Sequence, residues 1–111
     1  MSTNSSDRAS QGGGSNGAAG EQHLAAGEHI AMRKWDGEEP GTPKPVSRRA
    51  YETIGYVLEG RAELHLGGKV TMLSRGSSWV VPHETDHTYR ILERFSAIEV
   101  THPSYREATG R

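Results

Sequence analysis

The chain contains no cysteine. That excludes disulfide staples, thiolate metal sites and a cysteine nucleophile, and it suits a reducing compartment. An excess of one charge is also lacking, because 13 basic residues stand against 14 acidic ones. No dedicated surface for nucleic acid or an anionic membrane is therefore expected. No apolar stretch approaches the roughly 20 residues that span a bilayer. The first twenty residues hold no apolar segment of the kind that directs secretion, so the cytoplasm is the expected location. Aromatic residues make up only 6% of the chain, so one modest core is expected, with part of the chain outside it. A length of 111 residues suits a single domain.

What is present divides the chain in two. Residues 1–20 are dominated by Ser, Gly, Asn and Ala. They cannot bury enough apolar area to offset the entropy of ordering them, so a disordered tail is predicted there. Residues 21–111 are expected to form the single domain. Ile30 and Met32 alternate with Ala31, Arg33 and Trp35, which suggests a first strand. Residues 37–47 hold three prolines, which block a helix and a central strand alike and predict a loop or edge segment.

Strands and turns follow. Tyr51 to Glu59 is rich in aromatic and β-branched residues, and Gly60 supplies a bend. Ala62, Leu64 and Leu66 then alternate with Arg61, Glu63 and His65. Gly67-Gly68 predicts a two-residue hairpin turn. Val70 to Leu73, Ser78 to Val81, His87 to Leu92 and Phe95 to Thr101 read as further strands, and the last residues as a polar, frayed end. Several short strands at turn spacing, without helical periodicity, predict an all-β sandwich or barrel.

Two stretches narrow that choice: YETIGYVLEG at 51–60 and GSSWVVPHETDHTYR at 76–90. They resemble the two motifs of the cupin superfamily, with Gly60 closing the first and Gly76, Pro82 and His87 marking the second. The resemblance runs from about Ile30 to Thr101. It implies a small single-domain jelly-roll barrel (a double-stranded β-helix) of the cupin 2 type, and a homodimer. An open barrel's strand edges favour pairing as well, and the segment from Glu21 to Pro45 could cross to a partner.

The first motif is degenerate. The family's metal-binding Glu position is held by Thr53, and its two His positions fall among Val46, Ser47, Arg48 and Arg49. Of the implied ligands only His87 survives, and the second-motif Gly is Glu84. One His cannot hold a divalent ion, because catalytic sites need about three protein ligands. No cofactor is therefore expected. The alternative is a divalent metal on relocated ligands, using His87 and His83 with a carboxylate such as Glu84 or Asp86.

Strand alternation groups Tyr51, Thr53, Gly55 and Val57 on one face, and His87, Tyr89 and Ile91 on another. If the barrel forms, Thr53 and His87 face one cup. Arg49 joins them if its strand is regular, and Arg48 if a bulge shifts the register. A guanidinium, an imidazole and phenolic hydroxyls in an apolar cup suit a small anion, since Arg binds carboxylates bidentately. The expected function is therefore binding of a small acidic organic ligand by Arg48 or Arg49, Tyr51, Thr53, His87 and Tyr89. The alternative is an isomerase, lyase or cyclase with His87 as the catalytic acid or base. The plainer readings stand beside these: Arg48 and Arg49 solvated, His87 bonded to a backbone carbonyl, the tyrosines as packing, and Trp35 and Trp79 as core anchors.

Overall fold

The computed structural model describes residues 21–41 and 44–105. The expected tail at 1–20 and the residues after Tyr105 lie outside this range. Six antiparallel strands form the domain: β1 (Glu21–Ala26), β2 (Ala31–Glu38), β3 (Glu52–Leu66), β4 (Lys69–Ser74), β5 (Ser78–Val81) and β6 (His87–His102). The strand order is β1-β2-β6-β3-β4, with β5 also paired to β3. None of the described residues forms a helix long and apolar enough to cross a membrane.

The two long strands build the roll. Their outer halves pair as Glu52–Glu59 with Ser96–His102, and their inner halves as Arg61–Leu66 with His87–Glu93. Between the halves the register shifts at a bulge around Gly60. Gly60 has φ +89, and a Cβ there would lie 1.9 Å from the Arg94 carbonyl oxygen, so no other residue fits. The bend thus wraps one ribbon into both walls of a small jelly-roll barrel. Glu93-Arg94, which reads as a turn between two strands, is instead this bulge within the single strand β6. Its residues are polar because the bulge is exposed.

Alternation sorts the faces. Trp35, Val57, Ala62, Leu64, Leu73, Trp79, Val81, Tyr89, Ile91, Phe95 and Ala97 fill the core. The hairpin turns at Gly67-Gly68, with both φ values positive. On β2 the buried face is that of Ala31 and Trp35, leaving Ile30 and Met32 exposed.

Two differences from the sequence reading concern the ends. Glu21–Ala26 forms strand β1, although EQHLAA holds no β-branched residue; antiparallel pairing to β2 sustains it. Ser104 and Tyr105 are buried rather than frayed. Tyr105 stacks on His23 at 5.2 Å between centroids, and its hydroxyl hydrogen-bonds His23 Nδ1. With Ala31 and Tyr51 it forms a second small core.

Candidate functional site

Residues 44–47, ahead of β3, lie along the start of β6. Ser47 and His87 exchange two backbone hydrogen bonds of 2.8 and 2.9 Å, and the Lys44 carbonyl accepts from the Thr88 hydroxyl. This fixes the proline-bearing loop as the rim of a cavity of about 310 Å³. That is small-molecule size. The rim is Lys44, Pro45, Ser47 and Arg49; Trp35, His87 and Tyr89 form walls; Glu21, Arg33, Tyr51, Thr53 and Glu99 form the floor.

Five of the residues singled out from sequence therefore share one cavity: Arg49, Tyr51, Thr53, His87 and Tyr89. Arg48 does not join them. Its Nε donates to Asp86 at 2.9 Å and its Nη1 to the Glu84 carbonyl at 2.7 Å, on the surface. The reason is the loop geometry. The Glu84 N–H donates to the Arg49 carbonyl, so the two arginines straddle the 83–86 turn, one holding it and one facing the cavity. Arg49 has neither an ion pair nor a side-chain hydrogen bond among the described residues, whereas Lys44 reaches Glu38 at 3.1 Å.

The charged part of the floor, Glu21, Arg33 and Glu99, was missed in the sequence. Arg33 Nε donates to Glu99 Oε1 at 2.7 Å, and Glu99 is 1% exposed. The Arg33 Nη2 lies 3.4 Å from the Tyr51 hydroxyl, and the guanidinium sits over the Tyr105 ring at 4.7 Å. Burial opposes the Arg33 charge, but Glu99, then Tyr51 and Glu21, outweigh it and hold the guanidinium above its ordinary value. A signal existed: Arg33 shares the face of Ala31 and Trp35, and Glu99 that of Phe95 and Ala97. A charged residue in phase with apolar ones is a buried charge awaiting its partner.

The walls are aromatic. Trp79 Nε1 donates to the Tyr89 hydroxyl oxygen at 3.2 Å, and Trp35 meets Tyr89 edge-on at 4.9 Å. Burial, aided by Glu99, pushes the Tyr89 phenol well up, so it stays a neutral donor. The half-buried His87 ring bonds through Nδ1 to the Thr85 carbonyl at 3.0 Å. A carbonyl only accepts, so Nδ1 carries the proton and Nε2 of the neutral ring is the acceptor.

The cupin family implies a metal, and the donor set here does not fit one. His87 is the one imidazole on the cavity wall, and Thr53 offers a hydroxyl where the motif places a carboxylate. Glu99 is already engaged by Arg33. His83, Glu84 and Asp86 lie outside the cavity lining, with His83 exposed. Among the described residues no group of three or more His, Cys, Asp or Glu could hold an ion.

Comparison with known proteins follows the geometry. No curated protein matches the chain. KdgF from a Halomonas species is 27% identical, with a TM-score of 0.68 over 76% of this chain and 79% of that one. An RmlC-like cupin from Desulfovibrio desulfuricans is 23% identical, with a TM-score of 0.65 over 76% and 81%. Ectoine synthase from P. lautus, 17% identical with a TM-score of 0.67, shares the fold over 76% and 63%. The family model described as the cupin domain matches residues 38–100, and the chain belongs to the cupin family.

Proposed function

We propose that this cupin binds a small acidic organic molecule in the cavity, without the metal usual to such barrels. The observation that carries this reading is Arg49, a cation on the cavity rim with no counter-ion among the described residues. A ligand carboxylate supplies that counter-ion in a bidentate geometry. Trp35 and Pro45 offer apolar contact beside it, and Tyr51, Thr53 and Tyr89 offer hydroxyls within. Thermal-shift and calorimetric titration with small carboxylates tests the reading. Binding should weaken at least tenfold in Arg49→Gln and stay unchanged in Arg48→Gln. Equal affinity in the wild type and Arg49→Gln overturns it.

A catalytic reading uses the same cavity, with His87 Nε2 as the acid–base atom of an isomerase, lyase or cyclase. It is favoured by the Nδ1 bond to Thr85, which fixes the ring and its tautomer. Turnover lost in His87→Gln with binding retained supports catalysis.

A second copy of the chain is the proposed protein partner. Ile54 and Tyr56 on β3, Val80 on β5 and Met32 on β2 are exposed. Cross-strand pairing joins them through Val100 and Ile98 of β6. Such a contiguous apolar face calls for cover. This face is the proposed covering surface, while β1 and β2 pair within their own sheet. Light scattering should give a dimer that Tyr56→Glu converts to a monomer; a wild-type monomer at micromolar concentration overturns the proposal.

A further inference from the structure

The cavity has two electrical poles. At its buried floor, Arg33 donates to Glu99 through Nε and to the Tyr51 hydroxyl through Nη2, with the Tyr105 ring against its face. Its charge is matched by Glu99. That leaves Glu21, 7% exposed and on the cavity floor, with no hydrogen bond or ion pair among the described residues. Glu21 adds to the field that holds the Arg33 charge, so two carboxylates share one guanidinium at the floor, and a further cation entering the cavity is favoured there. At the exposed rim the unmatched charge has the opposite sign, on Arg49, while Lys44 is occupied by Glu38. A plain carboxylic acid satisfies the rim and leaves the floor as it was.

We infer that the ligand is an amino carboxylic acid, with its ammonium group on Glu21 at the floor and its carboxylate on Arg49 at the rim. The inference rests on the anion-binding reading given above and adds the second pole to it. A metal ion is a poorer match for Glu21, since no three-donor group is present among the described residues. An ammonium needs one carboxylate and a few lone pairs, which the Tyr51 and Thr53 hydroxyls supply from the same floor. The separation of the poles between floor and rim favours amino and carboxyl groups at opposite ends of a short chain. It also sets the direction of binding, because a reversed ligand brings like charges together at both ends.

The test is calorimetric titration with ω-amino acids of three to six carbons, against the unsubstituted carboxylic acid and the alkylamine of each length. The best ω-amino acid should bind at least tenfold more tightly than its matched carboxylic acid, as expected for a charge-assisted hydrogen bond to a buried group. Glu21→Gln should remove that advantage without weakening the plain acid, while Arg49→Gln weakens both acids. Acids that bind in an Arg49-dependent way, with no gain from the amino group or a gain that survives Glu21→Gln, overturn the inference alone. Absence of binding by every compound, or binding indifferent to Arg49, overturns the anion-binding reading with it. Circular dichroism and the unfolding midpoint of Glu21→Gln show that the variant is folded.

Discussion

Gly55 offers the sharpest perturbation of the packing behind Tyr89, which lines the cavity. It pairs with Trp79 across β3 and β5, and a Cβ at Gly55 would lie 2.4 Å from both Cη2 and Cζ2 of the indole. Ordinary contact begins at 3.4 Å, so the ring must retreat by about 1 Å in Gly55→Ala. Trp79 is 8% exposed within the core, so the retreat compresses its neighbours. Overpacking of this kind costs about 1–3 kcal/mol. The displacement also stretches the 3.2 Å bond from Trp79 Nε1 to Tyr89 beyond useful length, which costs about 1 kcal/mol more. The φ of Gly55 is not positive, so alanine is tolerated by the backbone. The stiffer unfolded chain returns about 0.4–1 kcal/mol. The net expectation is a loss of about 2 kcal/mol, or roughly 10 °C in Tm for a domain of this size. Urea unfolding followed by tryptophan fluorescence measures it. The mechanism demands that the cost fall by more than half in a Trp79→Phe background, where the clashing ring edge is gone. An equal cost in both backgrounds, or none in either, refutes the reasoning.

Other outcomes follow from the same geometry. Arg33→Met leaves Glu99 buried without its partner and should cost about 3–5 kcal/mol in chemical denaturation, most of it recovered in Arg33→Met with Glu99→Met. Glu84 holds φ +56 at the position where the family motif has Gly, so Glu84→Gly should raise stability by about 1 kcal/mol in urea unfolding; no gain would contradict strain at this position, since the Arg48 bond to the Glu84 carbonyl is kept. Tyr89 titrates above its ordinary value in the folded chain, so its contribution is intact below about pH 10 and is lost as pH rises further. Between pH 10 and 11 the wild type should therefore lose up to about 1.4 kcal/mol more than Tyr89→Phe in urea unfolding; parallel losses would contradict the buried phenol.

The resemblance to the family and the alternation of residues carried much of the architecture. Ala62, Leu64 and Leu73 are buried because side chains on a strand alternate by a rule that needs no knowledge of the partner strand. The same rule placed Thr53 and Tyr89 inward. The joining of residues 87–101 into one strand was less legible, because Glu93-Arg94 has the composition of a turn. What makes it a bulge is Gly60, more than 30 positions away in the chain.

The local pattern of this sequence by itself determined which residues turn inward, where the hairpin closes, and that the usual metal ligands are missing from their motif positions. Only the tertiary structure decided which charges meet. Arg33 and Glu99 are 66 positions apart, Glu21 enters through a strand that its own composition does not announce, and the choice between Arg48 and Arg49 hangs on hydrogen bonds from the 84–86 turn. Side-chain direction is a property of each strand's own pleat, whereas a charge acquires its partner only when distant strands are brought into register.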